Sequence, residues 1–473
     1  MEQRNNLSLF IFRRDLRLED NTGLIYALKN SKQVIPAFIF TPEQIDNNPY
    51  RSDFCLKFMI ESLQELDLAL QKQGSRLYIF KGSVNQVLEK CIKELHISSV
   101  IINKDYTPYS RKRDDQIETL CKKTKISFNS FHDSPLISPE ESLKKDGTPY
   151  LVFTPYFKNA LDTKVRAPVS NKEKNYFSGP ISFAESPEFL TKMGSNLPLN
   201  PRFKGGRSEA LKILDHLAAF KEYGILRDYP AADYSTHLSP YLKFNVCSVR
   251  EVYAKISHHL SPHHDLIRSL YWRDFFTMIA FFFPYVFGGS FHKKYDGVTW
   301  SDDREAFKLW CEGRTGFPLV DAGMRELNTT GFMHNRVRMI VGSFLVKDLH
   351  IDWRWGEKYF AQKLIDYDPC VNNGNWQWVA STGTDAQPYF RVFSPWRQQE
   401  KFDPDCIYIK KWIPELNPLA PKSIHSWSDP AYHTKWKGYP SPMVDHAIES
   451  KLAIKRYLEA NGHPGVNPLS PKL

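Results

Sequence analysis

The sequence has few features that would cross-link the chain or hold it in a membrane. Its seven cysteines form no Cys-x-x-Cys pair, which argues against a zinc ribbon and a disulfide framework and suits a reducing compartment. No segment approaches about 18 consecutive apolar residues, and the short apolar run near the N-terminus is followed at once by arginines. The sequence therefore predicts a cytoplasmic protein with no membrane partner, no signal peptide and no metal site.

Tryptophan is missing from the first 271 residues, although the chain has eleven in all. The C-terminal part therefore collects the largest aromatic side chains. The formal net charge is +10, which favours a polyanionic partner such as nucleic acid; a basic surface that only keeps the protein in solution is the alternative. At 473 residues the chain is long enough for two domains.

Residues 1–131 alternate strand-like and helix-like patterns, which indicates an α/β domain with a parallel, doubly wound, five-stranded sheet. The predicted strands are Leu7–Phe12, Val34–Phe40, Arg76–Phe80, Ser99–Asn103 and Ile126–Phe131. No Gly-x-Gly-x-x-Gly motif follows the first strand, which argues against a nicotinamide-binding domain.

The remainder of the chain divides into a connector and a helical region. Residues 132–205 are rich in Pro, Ser, Lys and Gly and predict a long connector on the surface. Residues 206–473 predict a large all-α domain. Helices predicted along the chain include Phe54–Gln73, Leu266–Thr277, Gly331–Leu349 and Pro442–Ala460.

The stretch from Asp366 to Asp385 reads D-Y-D-P-C-V-N-N-G-N-W-Q-W-V-A-S-T-G-T-D and combines acids, amides and two tryptophans. Polar groups that are buried without partners are costly, so a clustered set of them usually surrounds a polar ligand. We therefore interpret this stretch as one side of a site for a flat, polar ligand.

Other candidate binding residues lie on two helical patterns. Within the predicted helix Leu266–Thr277, one face carries Ser269, Trp272 and Arg273. We expect Arg273 either to form a salt bridge with Asp366 or Asp368, or to contact a ligand. In Gly331–Leu349, Asn335 and Met339 lie one turn apart. An amide beside a soft apolar group suits a planar base, and simple surface exposure is the alternative.

Two further sets of residues have both a structural and a functional interpretation. The hydroxyl residues of Tyr234–Ser239 precede a helical pattern, where they would either cap the helix or bind a diphosphate. Trp300, Trp353 and Trp376 come from three separate segments and would either pack in a core or pass electrons to a redox cofactor.

Together these segments resemble the photolyase/cryptochrome family, most closely the microbial cyclobutane pyrimidine dimer photolyases. The matching motifs, in chain order, are F-R-R-D-L-R-L-E-D-N, T-G-F-P-L-V-D-A-G-M-R-E-L, M-H-N-R-V-R-M, I-D-Y-D-P-C-V-N-N-G-N-W-Q-W and S-T-G-T-D-A-Q-P-Y-F-R. The resemblance implies an antenna domain at 1–131, an interdomain linker at 132–205, and a helical domain at 206–473 that holds U-shaped FAD and binds DNA.

The resemblance also implies which residues contact the cofactor. The diphosphate and ribityl contacts would be Tyr223, Ser235, Thr236, Leu238 and Ser239. Around the flavin ring, the implied contacts are an ion pair of Arg273 with Asp366, an adenine-side or ring contact from Asp368, and Asn372 facing the redox-active ring nitrogen. Plant cryptochromes typically carry Asp at the position of Asn372, and animal ones Cys. Trp376, Trp353 and Trp300 would form the chain that photoreduces the flavin.

For the substrate, the resemblance implies DNA that contains pyrimidine dimers, repaired by a monomer. Asn335 would hydrogen-bond both flavin and lesion, and Asn335 with Met339 matches the dimer photolyases, whereas (6-4) photolyases carry histidines at both positions. Trp272 and Trp378 resemble the aromatic walls that stack on the flipped lesion. The implied phosphate or lesion-edge contacts are Arg227, Arg336 and Arg391.

The chain departs from the family pattern at three places. Ser269 stands where the family has a glutamate that hydrogen-bonds the damaged base, and Phe332 replaces a tryptophan. Ser110 stands at the position of a folate-contacting glutamate, so a deazaflavin, a folate, a second flavin or no antenna all remain open. Ser269 favours a cryptochrome photoreceptor, and the lack of a C-terminal extension disfavours one. A DNA-binding protein without photochemistry would leave the matched flavin contacts unexplained.

Overall fold

The computed structural model describes residues 5–46 and 48–462. Within these ranges the chain forms two compact units, each assembled from several stretches of sequence. The first unit runs through Lys221 and adds Thr236–Pro284 and Ile365–Cys370; the second consists of Glu222–Ser235, Tyr285–Leu364 and the residues from Val371 onward. These boundaries differ from the sequence-based ones at 131 and 205, because the predicted connector and part of the helical region pack with the α/β region in the first unit.

The first unit contains a sheet of five parallel strands among the described residues. The strands are β1 Asn5–Phe12, β2 Ser31–Phe40, β3 Tyr78–Lys81, β4 Ser99–Asn103 and β5 Ser127–Phe131. Their order is β3-β2-β1-β4-β5. Leu9 to Phe12 are all buried, as expected of a strand that is covered on both faces. The predicted doubly wound sheet is therefore confirmed, with strand ends that differ by a few residues.

Helices cover this sheet and build the second unit. The α-helices are α1 Thr22–Asn30, α2 Pro42–Ile45, α3 Asp53–Gln71, α4 Val84–Leu95, α5 Pro108–Thr124, α6 Phe153–Asp162, α7 Phe189–Ser195, α8 Arg207–Asp215, α9 Tyr223–Leu226, α10 Ser239–Lys243, α11 Val249–His259, α12 Asp265–Phe282, α13 Arg304–Glu312, α14 Pro318–Thr330, α15 Asn335–Ser343, α16 Trp353–Lys363, α17 Pro369–Val379, α18 Pro395–Phe402, α19 Ile407–Trp412, α20 Pro421–His425, α21 Pro430–His433 and α22 His446–Ala460. The 3₁₀ turns are Leu217–Phe220, Pro230–Ala232, Pro284–Val286, Lys293–Gly297 and Pro414–Leu416, and Phe344–Asp348 is a π-helix. None of the helices in the described part of the chain is long and apolar enough to cross a bilayer.

The helix predicted from Gly331 to Leu349 is wrong at its start. Helix α14 ends at Thr330, and Gly331 adopts a φ of 67°, which a residue without a Cβ reaches at little cost. Helix α15 begins only at Asn335, where the Arg336 N–H donates to His334 Nδ1 at 3.2 Å. The apolar periodicity continues through this interruption, which is why the sequence pattern does not reveal it.

The segment 132–205 is more than a surface connector. It contains α6 and α7, and it continues the sheet by a bridge in which the Phe177 N–H donates to the Val34 carbonyl at 2.8 Å. Ile181 is buried in the sheet core, with Phe183 packed against the same cluster. The apolar residues of this segment follow neither helical nor strand period, so the sequence does not indicate their burial.

A buried group of ion pairs joins three parts of the first unit. Arg17 Nη2 lies 2.7 Å from Asp133 Oδ2, and Arg250 contacts both Asp20 Oδ2 at 2.7 Å and Asp133 Oδ1 at 2.8 Å. Burial alone would raise the pKa of Asp133, but the two arginines hold it well below its usual range. The R-R-D-L-R-L-E-D-N motif is thus a structural junction that ties the loop after β1 to the end of β5 and to α11.

Asp274, on α12, is a second buried carboxylate of the first unit. Its Oδ2 accepts the N–H groups of Leu136 at 2.7 Å and Ile137 at 3.4 Å. Burial raises the pKa of Asp274 to about 7, although Arg273 and the two N–H groups oppose the rise. Because the folded pKa lies above the unfolded one, the folded state binds this proton more tightly, and the resulting stabilisation is lost as the pH rises through about 7.

We expect Asp274→Asn to remove part of this pH dependence. An amide oxygen still accepts the two backbone N–H groups but carries no charge, so the variant should match the wild type at about pH 4 and exceed its stability by a few kcal/mol at about pH 8. Urea unfolding over this pH range measures the effect. Asp115→Asn, at an exposed position of α5, is the control. Parallel pH curves for Asp274→Asn and wild type would contradict the prediction.

Candidate functional site

Asp366 and Asp368 are held by side chains of the first unit. Ser239, the first residue of α10, donates its hydroxyl to Asp366 Oδ2 at 2.7 Å. Arg14, which follows β1, pairs with Asp368 and also with Asp105 Oδ1 at 3.1 Å. Burial alone would raise the pKa of Asp105, but Arg14 and neighbouring arginines keep it well below its ordinary range. Asp105 therefore stays charged beside the Arg14 guanidinium.

Arg273 lies in the same unit, and its hydrogen bonds go to Ser134. Its Nη2 donates to the Ser134 carbonyl at 2.5 Å and to the Ser134 hydroxyl at 2.7 Å. Burial lowers the pKa of Arg273, and the nearby Asp274 and Asp368 oppose this shift. The ion pair of Arg273 with Asp366 that the family resemblance implies stays a prediction.

Trp272 and Ser269 occupy one side of α12. The Trp272 ring lies flat against Phe153, with ring centroids 3.6 Å apart and planes 6° apart. Ser269 is exposed, and its hydroxyl donates to the Asp265 carbonyl at 3.3 Å. Phe153 is not among the residues predicted from the sequence, because it lies in the segment that is predicted as a connector. The apolar run that starts at Leu151 is the signal that could have indicated it.

The remaining diphosphate candidates divide between the units. In the first unit, Thr236 and Leu238 are both buried just before α10. In the second unit, Tyr223 begins α9, and the Arg227 guanidinium lies 5.9 Å from its ring centroid. Ser235 is half-buried at the end of the same stretch.

Asn335 and Met339 are neighbours on α15, as their spacing predicts. Asn335 is exposed, and its Nδ2 lies 3.9 Å from Met339 Sδ. Hydrogen bonds to Glu326 of α14 hold the start of the helix. This buried carboxylate accepts the His334 N–H at 3.2 Å and the Tyr408 hydroxyl at 2.6 Å. The exposed amide is therefore presented by a rigid helix end.

The three arginine candidates differ in their surroundings. Arg336 pairs with Asp228 at 2.7 Å, and its guanidinium lies 4.4 Å from the Phe402 ring centroid. Arg391 is exposed after α17. Arg227 is half-buried beside Tyr223. The planar fork of donors on a guanidinium suits contacts to phosphate.

In the second unit, α17 carries an amide and two indoles toward different surroundings. Asn372 Nδ2 donates to the Glu357 carbonyl of α16 at 3.1 Å. Trp376 is buried against Phe360, at 4.9 Å between centroids, and against Trp310 at 6.3 Å. Trp378 is half-buried two residues further along.

The other two candidates for an electron relay also lie in the second unit. Trp353 is fully buried at the start of α16. Trp300 is half-buried, and its ring meets that of Tyr457 edge-on at 6.2 Å between centroids. Trp376 and Trp300 thus have aromatic neighbours, which fit both a packed core and electron transfer.

Other amides of the stretch from Asp366 to Asp385 have a structural role. Asn373 donates to the Val286 carbonyl at 3.1 Å and to Glu357 Oε1 at 3.0 Å. Gln377 accepts the Phe291 N–H at 2.8 Å and donates to Asn373 Oδ1 at 3.0 Å. Their partners are protein groups, so the interpretation of the whole stretch as a ligand-facing surface does not hold for these two residues.

Comparison with known proteins places these residues among photolyases. A family model described as DNA photolyase matches residues 8–173, and one described as the FAD binding domain of DNA photolyase matches residues 266–459. A Vibrio cholerae protein named deoxyribodipyrimidine photo-lyase is 36% identical, and the alignment covers 96% of this chain and 100% of that protein.

Two solved structures are similar over nearly the full length. The archaeal photolyase from Sulfolobus tokodaii, crystallised with two FAD molecules, is 44% identical with a TM-score of 0.86, and 96% of this chain and 100% of that chain are covered. A class III photolyase from Agrobacterium tumefaciens is 33% identical with a TM-score of 0.88, and 98% and 99% of the two chains are covered.

The packing of Trp376 depends on Gly356, and we expect Gly356→Ala to disturb it. A Cβ at this position would overlap the Trp376 ring and lie 2.6 Å from Leu345 Cδ2. Overpacking of this kind costs about 1–3 kcal/mol, of which the better helix propensity of alanine returns less than about 1 kcal/mol. Urea unfolding and tryptophan fluorescence measure the loss of stability and the displaced indole.

The matched control is Gly297→Ala, where a Cβ would meet no atom within 4 Å. Equal stability of the Gly356→Ala and Gly297→Ala variants would show that the Trp376 ring moves aside without loss of stability, and would contradict the prediction.

Proposed function

The chain belongs to the DNA photolyase family, and we propose that it repairs cyclobutane pyrimidine dimers in DNA with light and bound, reduced FAD. The observation that carries the choice of lesion is the pair formed by Asn335 and Met339, whose side chains lie 3.9 Å apart on α15. An amide donates to and accepts from the polar edge of a base, while a thioether packs against its apolar part. Histidines at both positions would favour (6-4) lesions instead.

We propose that FAD is held by two groups of residues, and their chemistry fits the cofactor. Tyr223, Ser235, Thr236, Leu238 and Ser239 would contact the diphosphate and ribityl parts, for which hydroxyl and backbone donors are suited. Asp366, Asp368 and Arg273 would contact the ring system. Bound and reduced FAD supplies the electron that excitation by light releases; the protein supplies binding, orientation and electrostatics.

The hydrogen bond of Asn372 supports its proposed orientation toward the ring. Because its Nδ2 donates to the Glu357 carbonyl at 3.1 Å, its Oδ1 is left to accept a hydrogen bond. An acceptor at this place suits a ring nitrogen that carries a proton. Asn372 would therefore favour the reduced, protonated ring over the oxidised one.

DNA would bind through arginines and a pocket for the extruded lesion. Arg227, Arg336 and Arg391 would contact phosphates, and such contacts add affinity that does not depend on sequence and falls with salt. Photolyases are among the enzymes that flip their target out of the duplex, and a lesion that stacks poorly is cheaper to extrude. Trp272 and Trp378 would then flank it, with Phe153 supporting Trp272.

Two supporting roles complete the proposal. Trp376, Trp353 and Trp300 would pass electrons inward to oxidised flavin and so maintain its reduced state. The sheet of the first unit would carry an antenna, and the archaeal photolyase that was crystallised with two FAD molecules favours a second flavin over a folate or a deazaflavin. We propose that the protein acts as a monomer.

A repair assay tests the function directly. FAD released from the purified protein is first counted against the chain, and two FAD per chain would support a flavin antenna, as in the archaeal structure. The reduced protein is then mixed with oligonucleotides that contain a thymine dimer. We expect dimers to disappear under blue light, to persist in the dark and to persist with protein stripped of FAD. Persistence under light, with flavin bound and reduced, would refute the proposal.

Because Ser269 stands where the family has a glutamate, we expect the repair yield to be lower than with a carboxyl group at this position. A carboxyl group at this position would reach further than the exposed hydroxyl and hydrogen-bond the lesion, so Ser269→Glu should raise the repair yield. One added hydrogen bond of about 1 kcal/mol corresponds to roughly a fivefold effect. Ser269→Gln has the same length without the acid and is the matched control. An equal gain from both variants would assign the effect to reach rather than to the acid, and no gain would contradict the prediction.

A further inference from the structure

Glu357 is a half-buried acid next to Asn372 that the proposed repair reaction does not use. It lies on α16, and its backbone carbonyl accepts the Asn372 Nδ2 proton at 3.1 Å. Its side-chain Oε1 accepts from Asn373 Nδ2 at 3.0 Å. One residue therefore contacts two successive amides of α17, and one of these is the amide that we place against the flavin ring.

The hydrogen bonds around Glu357 do not require it to be either charged or neutral. Asn373 uses its two N–H groups for the Val286 carbonyl and for Glu357 Oε1, while its Oδ1 accepts from Gln377. This network can only donate to Oε1, and it does so whether or not the acid carries a proton. The proton would sit on Oε2, so binding or releasing it needs no rearrangement of α16 or α17.

The charges near Glu357 leave it close to half-protonated at neutral pH. Burial raises the pKa of Glu357 to about 7; the Asn373 hydrogen bond and Arg354 oppose this rise, and Asp352 adds to it. Arg354 is itself shared with Asp352 Oδ2 at 3.0 Å and with Asp296 Oδ1 at 3.4 Å. Among the described residues, the charged groups that act on this carboxyl are therefore Arg354 and Asp352, and neither fixes its state.

We propose that Glu357 is a proton-binding site coupled to the redox state of the flavin. Its Oε2 takes one proton from solvent when the ring beside Asn372 becomes negatively charged, and it returns that proton to solvent when the charge is withdrawn. Only a proton moves, between water and a carboxylate, so no further oxidant or reductant is needed. A like charge nearby raises the affinity of a carboxylate for its proton, which is the physical basis of the coupling.

This inference rests on the proposed function, because it requires flavin beside Asn372. The consequence of protonating Glu357, however, concerns the redox state of the flavin and not the repair reaction. A proton on Glu357 removes a negative charge from the surroundings of the reduced ring, so it stabilises the resting, reduced state of the enzyme. Glu357 is thus a positioning residue through its backbone and an electrostatic one through its side chain.

Redox titration of the flavin-loaded protein against pH tests the proposal, with Glu357→Gln as the variant. Glutamine keeps an oxygen for Asn373 but is neutral at every pH. We expect the midpoint potentials of wild type and variant to coincide well below pH 7, where both side chains are neutral. As the pH rises through about 7, the wild-type potential should fall below that of the variant.

A second readout follows the carboxyl group itself. In the infrared difference spectrum between reduced and oxidised protein near pH 7, the wild type should gain a protonated-carboxyl C=O band that Glu357→Gln lacks. Asp348→Asn, which removes a buried acid of the second unit, with a pKa raised by burial to about 6, is the control and should keep the band.

The outcomes separate this proposal from the proposed function. Superimposable potential curves, or a carboxyl band that persists in Glu357→Gln, would overturn the role of Glu357 even if dimers are repaired. If Glu357→Gln does not fold, the wild-type protein alone still tests the proposal. The lack of any redox-linked carboxyl band in the wild type across the pH series overturns it. Protein that binds FAD but repairs no dimer would refute the proposed function alone; protein that binds no FAD would refute both.

Discussion

The hydrogen bonds of Asn373 and Gln377 are the constraint on which the second unit depends. Both amides are almost fully buried on α17, and their partners are the Val286 and Gly289 carbonyls, the Phe291 N–H and Glu357. Burying an amide is costly unless its donors and acceptors are paired, so only one rotation of α17 about its axis is compatible with this set. That rotation in turn fixes where Asn372 and Trp376 point.

The first unit depends on a comparable arrangement of charges. Arg17 and Arg250 meet Asp20 and Asp133 with almost no exposure to solvent. Such pairs gain little stability over apolar packing, but breaking one leaves an unpaired buried charge, which is strongly destabilising. The loop after β1 therefore has one stable position. Arg14 lies on that loop and pairs with Asp105 and Asp368. The buried ion pairs therefore determine where these two carboxylates are held.

Sequence patterns predicted the elements whose apolar residues recur at a regular spacing, and they missed the features that this spacing does not mark. The strands and α12 were found because burial on both faces of a parallel sheet and along a helix gives regular apolar runs. Asn335 and Met339 were found because helical spacing alone makes them neighbours. The break at Gly331 was missed because the apolar period runs through it. The polar stretch on α17 was assigned to a ligand as a whole, since composition does not distinguish an amide that faces a ligand from one that binds its own protein, as Asn373 does.

Trp272 illustrates how a segment without periodicity shapes the candidate site. One face of its indole is covered by Phe153 at 3.6 Å, so a second flat group can stack only on the remaining face. Arg268 lies over the rings of Phe153 and Phe157, at 5.3 and 5.5 Å from their centroids, and adds cation–π attraction to this support. An indole held in this way loses little side-chain entropy when a ligand stacks on it, which lowers the cost of binding. The stacking surface that we assign to the lesion is thus organised by α6, a helix in the segment that the sequence identifies only as a connector.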